Sequence, residues 1–106
     1  MFLAAAAAAL LCACAGKAHY FEPSKDGGAL VLRRPEAVRV EIVRSCTGFS
    51  PEPTQRGADG AWVFQLKDLN PFEYFYIVDG RPYTPPCAFK NQDGFGGETC
   101  IFVPEK

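Results

Sequence analysis

The sequence has little of what catalysis usually requires. Its 106 residues include a single histidine, His19, and neither Ser45 nor Ser50 lies in a recognisable nucleophile motif. Carboxylates are scattered along the chain, whereas glycoside hydrolysis needs two that face each other across a cleft. Asp79 and Asp93 each precede a glycine, a pattern typical of turns. We therefore expect a protein that is not an enzyme.

Metal and phosphate sites also lack their usual sequence signals. No pair of cysteines has the Cys-x-x-Cys spacing of zinc and redox sites, and His19 has no Cys or carboxylate at ligand spacing. The glycines at 94–97 precede an apolar strand pattern instead of a helix and have no accompanying Lys, so they do not form a phosphate loop. We expect no cofactor and no metal ion.

Neither sign of charge dominates. The chain has 11 Lys and Arg against 12 Asp and Glu, a net charge of −1 at pH 7. Because the chain has no excess of Lys and Arg, we do not expect nucleic acid as a partner. No cationic amphipathic stretch indicates direct binding to anionic lipid either.

No apolar run is long enough for a permanent transmembrane helix. The longest one covers residues 2–12 and suits the core of a signal peptide, although no Lys or Arg precedes it. Leu11 and Ala13, three and one positions before Cys14, resemble a bacterial lipobox, whose cysteine takes a lipid. This pattern predicts a signal peptide at 1–13 and a cell-envelope protein attached to the membrane through lipidated Cys14. Two alternatives stay open: an ordinary secretory signal, giving a periplasmic or secreted protein, or a start codon assigned too early in a soluble one.

The next stretch has no hydrophobic period. Residues 15–29 contain Gly, Pro and Ser, and together with Cys14 they are interpreted as a flexible tether over 14–29. His19 lies in this tether.

From Leu30 onward the apolar pattern has the period of β-strands, and no segment has a helical one. Turn signals separate several short strands, a pattern typical of a β-sandwich. The predicted inward-facing residues are Val38, Val40 and Ile42 in one strand, Trp62, Phe64 and Leu66 in another, and Phe72, Tyr74, Tyr76 and Val78 in a third. Ile101 and Val103 belong to the predicted last strand.

Four segments in order resemble one family of small β-sandwiches. They are residues 44–51, residues 61–66, the strand and turn at 74–80, and the glycine-rich turn at 93–97. Their sequence is similar to the glycogen-binding, early-set modules of AMP-activated kinase beta subunits, isoamylases and branching enzymes. The resemblance implies a small immunoglobulin-like, early-set β-sandwich over 30–106 and a binding role.

The residues at the family's sugar-binding positions differ from the usual ones. In glycan-binding members two Trp side chains stack on sugar rings, while a Lys and an Asn hydrogen-bond the hydroxyls. Phe49 takes the first Trp position, Phe75 the Lys position and Thr99 the Asn position, while Pro82 takes the second Trp position with Tyr83 beside it. Because each buried, unpaired hydroxyl costs about 1–3 kcal/mol, the resemblance implies weak glucan binding or none.

The same substitutions favour an apolar face. Phe75 and Ile77 alternate with the inward-facing residues of their strand, so they are expected to point outward. With Phe49 and Tyr83 they would form an exposed apolar patch, which usually marks an interface. The alternative is that the segment at 85–91 covers Phe75 and Ile77 as a second layer of core.

Cysteine usage suits an exported protein. Beyond Cys14, three cysteines remain, so one bridge at most forms within the chain. Cys87–Cys100 is the favoured pair and Cys46–Cys87 the alternative. A buried free thiol is expected for Cys46, because it follows Val40 and Ile42 on the inward face.

Two function classes follow. The first is a monomeric, non-catalytic envelope module whose face of Phe49, Phe75, Tyr83 and Thr99 contacts another envelope protein. The second is an α-glucan-binding module with an altered aromatic face.

Overall fold

Two antiparallel β-sheets pack against each other in the computed structural model, which describes residues 18–92 and 97–104. One sheet has the strand order β1-β2-β6-β5, and the other has β4-β3-β7-β10-β9 with β8 also paired to β7. The predicted small all-β sandwich is therefore confirmed. The strands are β1 (His19–Ser24), β2 (Gly27–Arg33), β3 (Val40–Arg44), β4 (Pro51–Pro53), β5 (Gln55–Arg56), β6 (Ala61–Leu66), β7 (Phe72–Val78), β8 (Arg81–Tyr83), β9 (Lys90–Gln92) and β10 (Glu98–Phe102).

The core consists of apolar side chains from both sheets. Leu30 and Leu32 of β2 and Trp62 and Leu66 of β6 are buried on one side, and the indole N–H of Trp62 donates to the Arg34 carbonyl at 3.0 Å. From the facing sheet come Val40, Ile42, Phe72, Tyr74, Tyr76, Val78, Cys100 and Phe102. The alternation predicted for β7 is confirmed, because its inward residues are all buried and those between them are half-buried. In β6 Trp62 and Leu66 are buried, and Phe64 is half-buried against the core.

The tether prediction is wrong for residues 19–29. β1 pairs with β2 along its whole length, from His19 opposite Leu32 to Ser24 opposite Gly27. The turn between them needs a glycine, because Gly27 has a φ of 135° and a Cβ there would lie 2.0 Å from the Leu66 carbonyl oxygen. The sandwich therefore begins at His19 instead of Leu30.

Two strand ends differ from the predicted pattern. Val38 is 81 % exposed, because β3 starts only at Val40 and the N–H groups of Arg39 and Val38 donate to the Asp79 carboxylate instead of a neighbouring strand. These bonds lower the pKa of Asp79. The second difference is at β10, which ends at Phe102, so Val103 lies outside the strand and is 51 % exposed.

A disulfide joins Cys87 to Cys100, as predicted, and excludes the alternative Cys46–Cys87 pair. It ties the segment between β8 and β9 to the middle of β10, with 6.0 Å between the two Cα atoms. Cys46 is a free thiol, but the prediction that it is buried is wrong. The strand alternation ends at Arg44, and the chain turns into a short 3₁₀ helix at Ser45–Thr47 that places Cys46 at the surface.

Several sequence predictions lie outside the described residues. They are the signal peptide at 1–13, the lipidated Cys14, the tether up to residue 17, and positions 93–96 of the glycine-rich turn. Among the residues that are described, no helix has the length and apolar character needed to cross a membrane.

Candidate ligand-binding groove

A groove of about 630 Å³ opens beside β7, and Phe49, Phe75, Tyr83 and Thr99 all line it. These are the four residues that the sequence analysis placed on one face, and the fold brings them together from four separate parts of the chain. Phe75 lies on β7, Tyr83 on β8 and Thr99 on β10, while Phe49 follows the 3₁₀ helix after β3. Ile77 is half-buried and is not among the lining residues of the groove.

Phe75 reaches the groove because β7 alternates strictly. Its neighbours Tyr74 and Tyr76 are buried in the sandwich, so Phe75 points to the opposite side of the sheet and stays half-buried there. Tyr83 pairs with Tyr76 across the β7–β8 hairpin, and the Arg34 guanidinium lies 4.7 Å from the centre of its ring. Because it lies opposite the inward-facing Tyr76, the half-buried Tyr83 packs against the core and only borders the groove.

Phe49 has an unusual backbone. Its φ is 60°, directly after Gly48 at 67°, so two successive residues adopt the left-handed conformation. For a residue other than glycine this costs roughly 1–2 kcal/mol, yet Phe49 is also 49 % exposed and gains little from burial. Its N–H donates to the Arg44 carbonyl at 2.8 Å, which fixes the turn. The chain thus holds an exposed aromatic ring at the groove at the cost of local strain, a combination common at functional sites.

The turn that carries Phe49 rests on an anchored arginine. Arg44 donates two hydrogen bonds to Glu52, at 2.9 and 3.0 Å, and its guanidinium lies 4.7 Å from the Phe64 ring and 5.3 Å from the Phe72 ring. Such a bidentate pair is geometrically specific. The backbone of Arg44, which bonds Phe49, therefore has little freedom to move.

The groove also has a polar side, which the sequence analysis missed. Glu73 accepts hydrogen bonds from Asn91 at 3.1 Å and from Thr99 at 2.8 Å, and these bonds lower the pKa of its carboxyl group. Both bonds end on the same oxygen, Oε1. Thr84 and Glu98 complete this side, and Thr84 donates to the Glu98 backbone carbonyl at 2.8 Å. One sequence signal was available, since Glu73 lies two residues before Phe75 on an alternating strand and must share its face.

The single histidine lies in a second opening, between the two sheets. Its Nε2 atom lies 3.1 Å from the Tyr76 hydroxyl and 3.3 Å from the Tyr74 hydroxyl. Burial lowers the pKa of His19 to about 4, a shift that a hydrogen bond to the Pro86 backbone offsets only in part. His19 therefore joins β1 to β7 as a neutral side chain, in contrast to its predicted place in a tether.

Within residues 18–92 and 97–104, no three His, Cys, Asp or Glu side chains gather as a metal site would require. Comparison of the sequence with family models and with curated proteins finds no match. The resemblance to glycogen-binding modules therefore stays a prediction, and the groove is the feature of the structure that indicates a function.

Proposed function

We propose that this protein is a non-catalytic binding module of the cell envelope, of the early-set type, that contacts another envelope protein through the groove beside β7. A lipid on Cys14 would hold it at the membrane. The observation that carries the proposal is the convergence of Phe49 and Phe75 on one groove, with Phe49 half-exposed in a strained backbone. Aromatic side chains that stay accessible in this way are typical of interface anchors.

Site-directed photo-crosslinking in intact cells tests the proposal. A photoreactive phenylalanine analogue at position 49 or 75 should give one discrete crosslinked protein species. The matched control is position 38, because Val38 is more exposed than Phe49 and does not line the groove. The captured protein, once purified, should bind the wild-type module and bind the Phe49→Ala variant at least about tenfold more weakly, as for a typical anchor residue. Equal crosslinking from position 38, or none from the groove positions, would rule out the proposed interface.

A second candidate, α-glucan binding, is favoured by the polar side of the groove. Asn91, Thr84 and the Glu73 carboxylate lie among aromatic rings, an arrangement that suits the apolar faces and hydroxyls of a sugar. Thr99, however, already donates its hydroxyl to Glu73, and Phe75 has no hydrogen-bonding group. We expect affinity for maltoheptaose or β-cyclodextrin to be weaker than millimolar by calorimetry. Micromolar binding that Phe49→Ala removes would instead make this a carbohydrate-binding protein.

A further inference from the structure

The groove carries an unbalanced negative charge. Glu73 and Glu98 both line it, and no Lys or Arg is among its described lining residues. The Glu98 carboxylate has a counter-ion, since Lys90 Nζ lies 3.8 Å from it. Glu73 has none within ion-pair distance among the described residues, and its hydrogen bonds come from the neutral groups of Asn91 and Thr99.

Glu73 is also held in a fixed position. The amide of Asn91 and the hydroxyl of Thr99 both donate to Oε1, which leaves Oε2 without a hydrogen-bond donor in the described part of the chain. The carboxylate therefore does not have to be ordered when a ligand binds, and one of its oxygens is free to accept. An anionic partner would be repelled here, whereas a cation would be attracted.

The surrounding rings define what kind of cation fits. Phe75 stands two residues from Glu73 on the same face of β7, and Phe49 projects from the neighbouring turn. A long aliphatic stem can cover such rings while its charged end reaches the carboxylate. Arginine binds carboxylates best through both oxygens, but Oε1 is already occupied, whereas the ammonium group of lysine needs only one acceptor.

We propose that the groove recognises a lysine side chain of the partner, with its aliphatic stem against Phe49 and Phe75 and its ammonium group donating to Oε2 of Glu73. This inference rests on the proposed function and specifies the chemistry of the partner at the same site. The contact is charge-assisted and only partly enclosed, so added salt weakens it.

Nuclear magnetic resonance titration of the ¹⁵N-labelled domain from residue 15 onward tests the proposal, because this method detects the weak binding expected of a single lysine side chain. Because this domain lacks the signal peptide and Cys14, dispersed amide resonances must first show that it folds. The probe is the peptide acetyl-Gly-Lys-Gly-amide, with its Nε-acetyl-lysine and arginine counterparts as controls. We expect the lysine peptide to shift the amide resonances of Phe75 and Thr99, the acetylated peptide to shift neither, and the arginine peptide to bind more weakly.

Paired charge-removal variants make the test specific. Glu73→Gln keeps the shape of the side chain and an acceptor for Asn91 and Thr99, and should weaken binding of the lysine peptide at least about fivefold. Glu22→Gln removes the same charge from the exposed part of β1 in the other sheet and should leave binding unchanged. Retained amide dispersion in both variants shows that the fold is intact.

The outcomes separate this inference from the proposed function. Equal binding of the acetylated peptide, no shift with the lysine peptide, or no effect of Glu73→Gln would overturn lysine recognition. If lysine recognition fails but position 49 still crosslinks a discrete envelope protein, the groove is an interface that binds a group other than lysine. If crosslinking fails as well, both proposals are wrong.

Discussion

At the scale of single residues, Phe49 combines local strain with an exposed aromatic ring. Its left-handed backbone would suit glycine better, and its half-exposed side chain contributes little to the core. Stability and binding therefore make opposite demands on this position, and substitutions there can separate the two.

Phe49→Gly should leave the free energy of unfolding unchanged or raise it by up to about 1 kcal/mol, because relief of the strain is partly offset by the greater freedom of glycine in the unfolded chain. The same variant should lose the crosslinked partner. Urea denaturation measures the first effect. Phe49→Ala is the matched control, since it removes the ring and keeps the strain. A loss of more than about 2 kcal/mol in Phe49→Gly would show that the ring belongs to the core.

His19 makes stability depend on pH. The folded protein keeps this side chain neutral with a pKa of about 4, whereas the unfolded chain takes up a proton near the ordinary value of 6.5. The contribution of neutral His19 to the free energy of unfolding is therefore complete above about pH 6.5. It is lost as the pH falls from 6.5 towards 4, because the unfolded state then binds a proton that the folded state does not.

Denaturation at a series of pH values checks this expectation. The wild type should lose stability between pH 6.5 and 4 faster than His19→Gln, which retains an acceptor for the tyrosine hydroxyls and has no charge to gain. Glu73 and Asp79, whose pKa values are lowered, add losses below about pH 4.5 that both proteins share. Parallel pH profiles for the two proteins would mean that His19 is not held neutral in the fold.

At the scale of elements, the disulfide holds the edge of the sheet that lines the groove. Cys87 and Cys100 lie 13 positions apart in the sequence, and the closed loop contains β9 with Asn91, one of the two donors to Glu73. The N–H of Ile101 also donates to the Phe89 carbonyl, which fastens the loop to β10. The polar side of the groove should therefore depend on the bridge.

Reduction, or the double change Cys87→Ala and Cys100→Ala, should lower the free energy of unfolding by roughly 3 kcal/mol, since the loop gains freedom in the unfolded state. It should also weaken binding of the lysine peptide. Cys46→Ala is the control and should change neither, because this thiol is free and exposed. Thiol titration after denaturation, without reductant, should find only Cys46 in the domain that begins at residue 15. Three reactive thiols would contradict the bridge.

At the scale of the whole molecule, the start of β1 brings the domain close to the proposed anchor. If Cys14 carries a lipid, only residues 15–18 separate it from β1, a reach of roughly 17 Å when extended. β1 belongs to one sheet and the groove is formed by the other, so the attachment point and the groove lie on different sheets. A module held in this way would bind a partner near the membrane surface.

Cys14→Ser should move the protein from the detergent phase to the aqueous phase, or leave it unprocessed, because a lipid is then no longer added. Phase partitioning and intact mass measure both. Cys46→Ser removes the free, exposed thiol of the domain and should not alter partitioning. An unmodified chain that starts at Met1 would end the lipoprotein proposal.

Most of the fold prediction came from the alternation of apolar residues in strands and from the turn-forming residues between them. The inward sets of β6 and β7, the sandwich class and the Cys87–Cys100 bridge agree with the structure, because period-two burial is a property of each strand alone. The alternating pattern predicted burial wrongly for residues just outside the ends of strands. Val38, Cys46 and Val103 lie one or two residues beyond strand ends, and position along a chain does not reveal where pairing ceases.

For this protein the sequence by itself determined which residues of β7 face inward, that Phe75 faces outward, and which aromatic residues are available for a binding face. Only the tertiary structure decided that β1 joins the sandwich, that His19 is neutral between two tyrosines, and that Glu73, Asn91 and Thr99 give the groove a polar side. For His19 and for the polar side of the groove the reason is that the contacts join residues 18 to 57 positions apart. Local patterns set the direction of each side chain, whereas the identity of its distant neighbour follows from strand order and register.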